Sequence, residues 1–456
     1  MDNVPPLSNH QDWLQLARRL VARGDDEAAR QVYLEALRHD TKDFDALHEL
    51  AILAYDSGHR SAAKTAWRRA VSFHPDRTEG WVSLATVYFE EENWQEARQL
   101  YAAALKLQPD CIPAHQGMAR VLEILHEPAE AHWQQGFIGH SVLTMPYRGQ
   151  GLGLPLLLLV CARSGNIPTK HWIDDRHFAV TAIYAEFYDG LPPLPPHALI
   201  VNLIGDADIG RAALIRAREI IEQSSAPVIN PPDRVLVTDR SSNARRMADI
   251  PGLVAAGMTA MTRSALLSAK LSYPFLLRSP GFHAGRHFYR VEKPESLQDA
   301  LAVLPGEGLL AIEFLDARGK DGLVRKFRVM FIQGVMYPLH LAISADWKVH
   351  YFSSAMAENQ AYREEEARFL QDMQATLGSK AMLALKNLQE RLALDFAGVD
   401  FALAEDGSVL LFECNATMAI YPAEPDAIWD YRRPALNAAL EAARRMLFQR
   451  ALPITA

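Results

Sequence analysis

The chain has 456 residues, 49% hydrophobic and 22% charged, with a net charge of −8. Those are the proportions of an ordinary soluble protein, and the acidic balance argues against a general nucleic-acid binder, which is more often basic. The length allows two or three domains, each with its own core. Three cysteines (Cys111, Cys161, Cys414) stand apart without a C-x-x-C pair, so neither a disulfide framework nor a zinc site is expected, and a reducing compartment fits. The stretch MDNVPPLSNHQDW is polar with two prolines and does not read as a signal peptide. The longest apolar run, Leu152 to Ala162, is too short to span a bilayer. A cytoplasmic protein is expected, with neither nucleic acid nor membrane as partner.

A period of 34 residues runs through the first third. Trp13, Leu47 and Trp81 keep that spacing, as do Ala17, Ala51 and Ala85; so do Ala29, Ala63 and Ala97, and Tyr33, Trp67 and Tyr101. Gly24 and Gly58 mark a turn inside the first two units, Pro75 and Pro109 close the last two, and Met118, Ala119 and Leu122 begin a weaker fourth. Small residues at helix crossings and large ones between units predict stacked helix pairs. The pattern resembles the tetratricopeptide repeat and sets a helical array at 10–144. The resemblance implies a concave face suited to a peptide or protein partner. The alternative is that the array serves only to pack on the following domain.

MPYRGQGLGLP (145–155) reads as a boundary. Beyond it, Leu156 to Cys161 and Ala198 to Leu203 read as buried strands, 176–188 as a strand or a helix, and 209–223 as an amphipathic helix. Alternating strand and helix suggest a doubly wound α/β domain over about 152–235. DRSSNARRMADIPGL (239–253) is a basic helical segment. Phe275 to Leu277 form an apolar strand leading to Arg278, and Gly281 to Arg286 a loop with two glycines. Such a loop beside a cation is able to cover phosphates with backbone N–H groups. A strand ending at Glu313-Phe314-Leu315 follows, then two strands around Gln333-Gly334.

The stretch GVDFALAEDGSVLLFECNAT (398–417) reads as a tight hairpin turning at Glu405–Ser408. Glu413 and Asn415 are two apart and share one face of the returning strand, and Asp400 can lie opposite them. Two carboxylates and an amide converging on one spot suit a hard cation such as Mg²⁺. The bland alternative is a strand whose polar residues face water.

In this order the segments resemble the ATP-grasp superfamily, of the D-alanine–D-alanine-ligase-like and RimK-like type. The resemblance implies an α/β pre-ATP-grasp subdomain at 152–237 and two α+β subdomains, 238–308 and 309–450, clasping ATP. It assigns Mg²⁺ to Asp400, Glu413 and Asn415. Arg245 and Arg278 take the places of the family's phosphate-contacting lysines, His283 and Gly285 lie in the lid loop, and Glu313, Phe314 and Leu315 form the adenine hinge. Arg328 fits a contact to the transferred phosphoryl group or the substrate carboxylate. For the ribose the family's carboxylate is replaced by Lys326, leaving Asp316 or Asp321. Some ligases have an arginine two residues before the metal-binding Asp; here it is Gly398, and Arg328, His340 and Lys348 are the substitutes. Cys414 is expected to point to the core, and Tyr421 and Glu424 to face an acceptor.

The activity implied is an ATP- and Mg²⁺-dependent carboxylate–amine ligase forming ADP through an acyl phosphate. Two alternatives stay open: an ATP-grasp kinase or non-peptide ligase, and a repeat scaffold with a degenerate nucleotide site.

Overall fold

The computed structural model describes residues 10–125, 127–280, 287–349, 351 and 354–451. The chain splits into two compact units, Met1–Ser141 and Val142–Ala456.

In the first unit the described residues form consecutive helical hairpins: α1 His10–Arg23, α2 Asp26–His39, α3 Phe44–Asp56, α4 Arg60–Phe73, α5 Thr78–Glu90, α6 Trp94–Leu107, α7 Ile112–Ile124 and α8 Glu130–Phe137. Asp25 and Asp43 cap α2 and α3, each accepting a backbone N–H of the first turn. Gly24 and Gly58 hold the positive φ of their turns, and Glu92 takes it in the third unit (φ 62°). Ala17, Ala51, Ala85 and Ala119 are fully buried at the helix crossings, and Tyr33, Trp67 and Tyr101 fill the gaps. Arg18 Nε donates to Glu49 Oε1 at 2.9 Å, tying α1 to α3. The first unit ends at Ser141, and β1 (Val142–Thr144) pairs antiparallel with a strand of the second unit.

That unit is mixed α/β. Its first sheet contains β2 Leu154–Val160, β3 Phe178–Tyr184, β4 Leu199–Asn202 and β5 Val228–Ile229, in the order β1-β3-β2-β4-β5, all parallel except β1. The expected strand–helix alternation is met only at α9 (Arg211–Ile221), between β4 and β5. A loop joins β2 to β3, and a single 3₁₀ turn (Ala185–Phe187) follows β3. Next come α10 Pro232–Leu236, α11 Arg240–Met247 and β6 Leu253–Ala255.

The second sheet is antiparallel, order β7-β10-β8-β9, from β7 Met258–Thr262, β8 Phe275–Arg278, β9 Phe288–Val291 and β10 Gly308–Glu313, with α12 Arg263–Ser268 and α13 Glu295–Val303. It has its own apolar core of Leu266, Phe275, Leu277, Leu297 and Leu309. The third sheet, order β12-β11-β13-β14-β6, contains β11 Val324–Ile332, β12 Val335–Ser344, β13 Phe396–Leu403 and β14 Val409–Asn415. Helices α14 Gln360–Gln371, α15 Met373–Leu392 and α16 Arg433–Ala451 accompany it. Gln333 and Gly334, both at positive φ, make the two-residue turn between β11 and β12.

The first and third sheets share one continuous core, in which Trp172 stacks on Phe396 at 5.0 Å. Asn230 staples them: its Nδ2 donates to Phe396 O, and its Oδ1 accepts from the backbone of Asp395 and Phe396.

Candidate functional site

The predicted hairpin is β13–β14, and its register decides the site. Asp400 is the Cα partner of Glu413 on one side and of Arg328 on the other, and Arg328 is the partner of His340. Side chains directly opposite share a face, so His340, Arg328, Asp400 and Glu413 form one polar row across four strands. Phe327, Val329, Phe331, Val399 and Phe401 are buried in the core. Register shifts follow Arg328 and Asp400.

Asp400 is 4% exposed. Arg328 grips it bidentately, Nε to Oδ1 at 2.6 Å and Nη2 to Oδ2 at 2.8 Å, and Lys326 Nζ reaches Oδ2 at 3.1 Å. Burial works to raise the Asp400 carboxyl, but the charges of Arg328 and Lys326 hold it well below the usual carboxylate range. His340 is buried against the Tyr351 ring at 4.9 Å, and its Nδ1 has no hydrogen-bond partner among the described residues. Burial, then the charge of Arg328, pushes it well below its ordinary value, so it is neutral at pH 7.

Glu413 Oε1 accepts from Asn415 Nδ2 at 2.9 Å and from Arg240 Nη2 at 3.1 Å. Arg240 Nη1 donates to Asp208 Oδ2 at 2.8 Å, so one guanidinium bridges the loop after β4 and the end of β14. Burial pushes the Asp208 carboxyl up against the pull of Arg240. Arg278, at the end of β8, is lowered by burial and by the like charge of Arg240, while Glu413, Asp206 and Asp208 act in the other direction. A cleft opens here, lined among others by Asp206, Asp208, Arg240 and Glu413 and by Met258 and Phe412.

The expected site residues distribute as follows. Asp400, Glu413 and Asn415 come together, with Arg328 and His340 in the same row. Arg245 does not join them: it is exposed, and its Nη2 donates to Ser242 Oγ at 3.3 Å. Five residues turn a helix by roughly 140° beyond one full turn, so Arg240 and Arg245 face differently. Asn243 shares the inner face with Arg240 and donates to Cys414 O at 2.6 Å. Neither Arg240 nor Asn243 is singled out by the basic composition of the segment; their three-residue spacing is the signal the sequence offers. Lys348 lies on an exposed turn with Nζ 3.5 Å from Phe288 O, outside the polar row. Glu313 ends β10 and accepts from Gly257 N at 3.1 Å. Phe314 meets Trp347 edge-on and lies 4.0 Å under the Arg290 guanidinium, and Leu315 is half-buried. Lys326 is spent on Asp400, and Asp316 and Asp321 pair with Arg318 and Arg325. Cys414 is buried as expected, while Tyr421 and Glu424 are exposed, Tyr421 against His171. His283 and Gly285 lie outside the described residues.

Gly398 faces a filled space. A Cβ there would lie 2.6 Å from Met418 Sδ and 2.8 Å from Met330 Sδ, so this position has no room for an arginine.

As to a divalent cation, the donor types fit: two carboxylates and an amide oxygen on one side of a hairpin. Among the described residues, no group of three or more His, Cys, Asp or Glu side chains is placed to hold a metal. The Asn415 amide and external oxygens would have to complete the set. The donors are also engaged: Asp400 by Arg328 and Lys326, Glu413 by Arg240, and Asn415 Oδ1 by Thr417 N at 3.0 Å.

Models of the tetratricopeptide repeat family match residues 10–53 and 78–111. No curated protein matches the chain. Solved structures that match include MamA, 19% identical over 28% of this chain and 74% of that one, with a TM-score of 0.26. Pseudomonas aeruginosa pilF is 20% identical over 28% of this chain and 59% of its own, also with a TM-score of 0.26. The first repeat domain of RPAP3, solved with an HSP90 peptide, is 15% identical over 26% and 94%, with a TM-score of 0.25. No helix among the described residues is long and apolar enough to cross a membrane. The chain thus carries tetratricopeptide repeats in an N-terminal helical array, followed by a mixed α/β unit of several sheets.

Proposed function

We propose that the mixed α/β unit is an ATP-grasp-type ligase that uses ATP and Mg²⁺ to join a carboxylate to an amine, and that the repeat array docks a peptide or protein partner. The observation that supports it is the register placing Asp400 opposite Glu413, with Asn415 beside them and Arg240 and Arg278 brought in from other segments. Such a cluster answers the main difficulty of the reaction, which is to hold two anions together: the γ-phosphate and the substrate carboxylate.

In this reading Arg240 and Arg278 bind phosphate oxygens, and their planar guanidiniums suit bidentate contacts. Arg328 orients Asp400. Asp400, Glu413 and Asn415 would hold Mg²⁺, which when bound supplies neutralisation of phosphate charge. Glu313 and the backbone near Leu315 receive the base edge. The acid's carboxylate oxygen attacks the γ-phosphorus and ADP leaves. The amine nitrogen then adds to the acyl carbon, phosphate departs, and one amine proton is given up. No nucleophilic side chain is required.

A second reading, a repeat scaffold with a degenerate nucleotide site, draws on Gly398 and on the ion pairs that already engage the carboxylates. Calorimetric titration with Mg·ATP separates the two. Binding that is lost in Glu413→Ala, with ADP released on adding acids and amines, supports the ligase. No binding by the wild-type chain leaves the scaffold. Phosphate transfer without any amine requirement would instead indicate a kinase.

A further inference from the structure

The carboxylates offered to a cation are already matched by cations of the chain itself. Asp400 holds Arg328 and Lys326; Glu413 and Asp208 share Arg240. Arg278 lies within electrostatic reach of Glu413, Asp206 and Asp208. Among the described residues, Asp208, Asp400 and Glu413 are thus already paired with Arg240, Lys326 and Arg328 before any ion is added. Arg240 is the pivot. Its side chain is 13% exposed, and it bridges Asp208 and Glu413. A divalent ion arriving alone at Glu413 would add two positive charges next to a poorly hydrated guanidinium, and Coulomb repulsion at such range is strong in a partly buried site. A polyphosphate changes the balance. It offers Arg240 acceptor oxygens as good as those it leaves, and so frees Glu413.

Resting on the ligase reading, we propose that Arg240 is a built-in stand-in for the divalent cation: it holds Glu413 until nucleotide arrives, so the metal is refused alone and enters only with the polyphosphate. The closest polar contacts set this order. Asn415 also donates to Glu413 Oε1, so that oxygen already carries two donors before any ion is bound.

The test uses the full-length chain and Mn²⁺ alone, with free Mn²⁺ followed by electron paramagnetic resonance. Arg240→Met keeps the apolar stem and removes the charge; it is expected to bind Mn²⁺ at least about tenfold more tightly than wild type. Arg240→Lys, too short to span Asp208 and Glu413, is expected to fall between the two and covers the case in which Arg240→Met does not fold. Adding Glu413→Gln to Arg240→Met is expected to erase the gain. The proposal is overturned if wild type binds bare Mn²⁺ as tightly as Arg240→Met, or if the gain survives Glu413→Gln. A separate titration with Mn²⁺ and a non-hydrolysable ATP analogue reports on the ligase reading. Failure of that arm removes the nucleotide, while the metal-alone arm still decides what Arg240 does to Glu413.

Discussion

Replacing Gly398 by alanine puts one methyl group where β13 leaves no room. The new Cβ would stand 2.6 Å from Met418 Sδ, 2.8 Å from Met330 Sδ and 2.8 Å from Met418 Cβ. The thioether ends can swing, since methionine adapts easily. The Met418 Cβ is fixed to its backbone, however, and Met418 and Met330 are buried, at 5% and 0% exposure. Ordinary contact requires that the chain after β14 move by several tenths of an ångström, and overpacking of this kind costs about 1–3 kcal/mol. Met418→Ala alone opens a cavity and costs about 2–5 kcal/mol. In the double variant the Met418 thioether no longer opposes the new methyl while the 2.8 Å approach to the Met418 Cβ remains, so the cost is expected to fall below the sum by part of the Gly398→Ala penalty. Urea unfolding of the four proteins, read at the transition of the α/β unit, measures the cycle. Should Gly398→Ala lie within about 0.5 kcal/mol of wild type, or the pair be additive, the packing account of this glycine is wrong.

Asp400→Asn leaves the half-buried Arg328 and Lys326 without their counter-charge and is expected to cost up to about 3–5 kcal/mol in urea unfolding. Acid denaturation gives an independent reading: the folded-state carboxyl of Asp400 is lowered from its ordinary 3.8. Its stabilisation is therefore complete above that value and lost as pH falls below it, and Asp400→Asn should show a shallower acid limb from about pH 4 downward. Asn230→Ala removes three hydrogen bonds, two of them buried, and leaves a non-glycine residue at φ 53°, so a loss of about 3 kcal/mol is expected by the same unfolding assay. In the repeats, Gly117→Ala would place a Cβ 2.1 Å from the Tyr101 ring, itself only 3% exposed; thermal unfolding followed by helical circular dichroism should report a lower midpoint for the array.

How much of this is legible in the sequence follows from what each pattern depends on. The repeat array is local: helix pairs meet their neighbours at fixed sequence separation, so the 34-residue spacing of Ala17, Ala51 and Ala85 already states the packing. Strands show as apolar runs, and the hairpin at 396–415 shows by its turn. The connection between β2 and β3 does not, because a parallel crossover without a helix leaves no periodic signal. Arg240 and Arg245 sit in one basic segment, and only the phase of α11 against β14 tells which faces the cleft. Asp206 and Asp208 are visible as IGDAD, but their partner Arg240 is 32 residues or more away. Lys326 reads in the sequence as a departure from the ribose carboxylate, yet side chains at 326 and 328 share a face of β11 and both close on Asp400.

The polar row depends on two single-residue irregularities. Counting back from the hairpin turn, Leu403 pairs with Val409, Ala402 with Leu410 and Phe401 with Leu411. A regular ladder would then set Asp400 opposite Phe412 and turn Glu413 to the other face, because strand side chains alternate. Instead the register shifts after Asp400, Phe412 is the extra residue, and Glu413 becomes the partner of Asp400. The same happens on the other side. Val329 pairs with Pro338, Leu339 is the extra residue, and His340 meets Arg328 rather than Phe327. Between them, β11 and β13 stay in regular register, with Arg328 opposite Asp400. Two bulges flank one regular strand pair, and each moves a titratable side chain from the opposite side onto the face where Arg328 and Asp400 already stand. That is the physical reason to look for chemistry on this face of the third sheet.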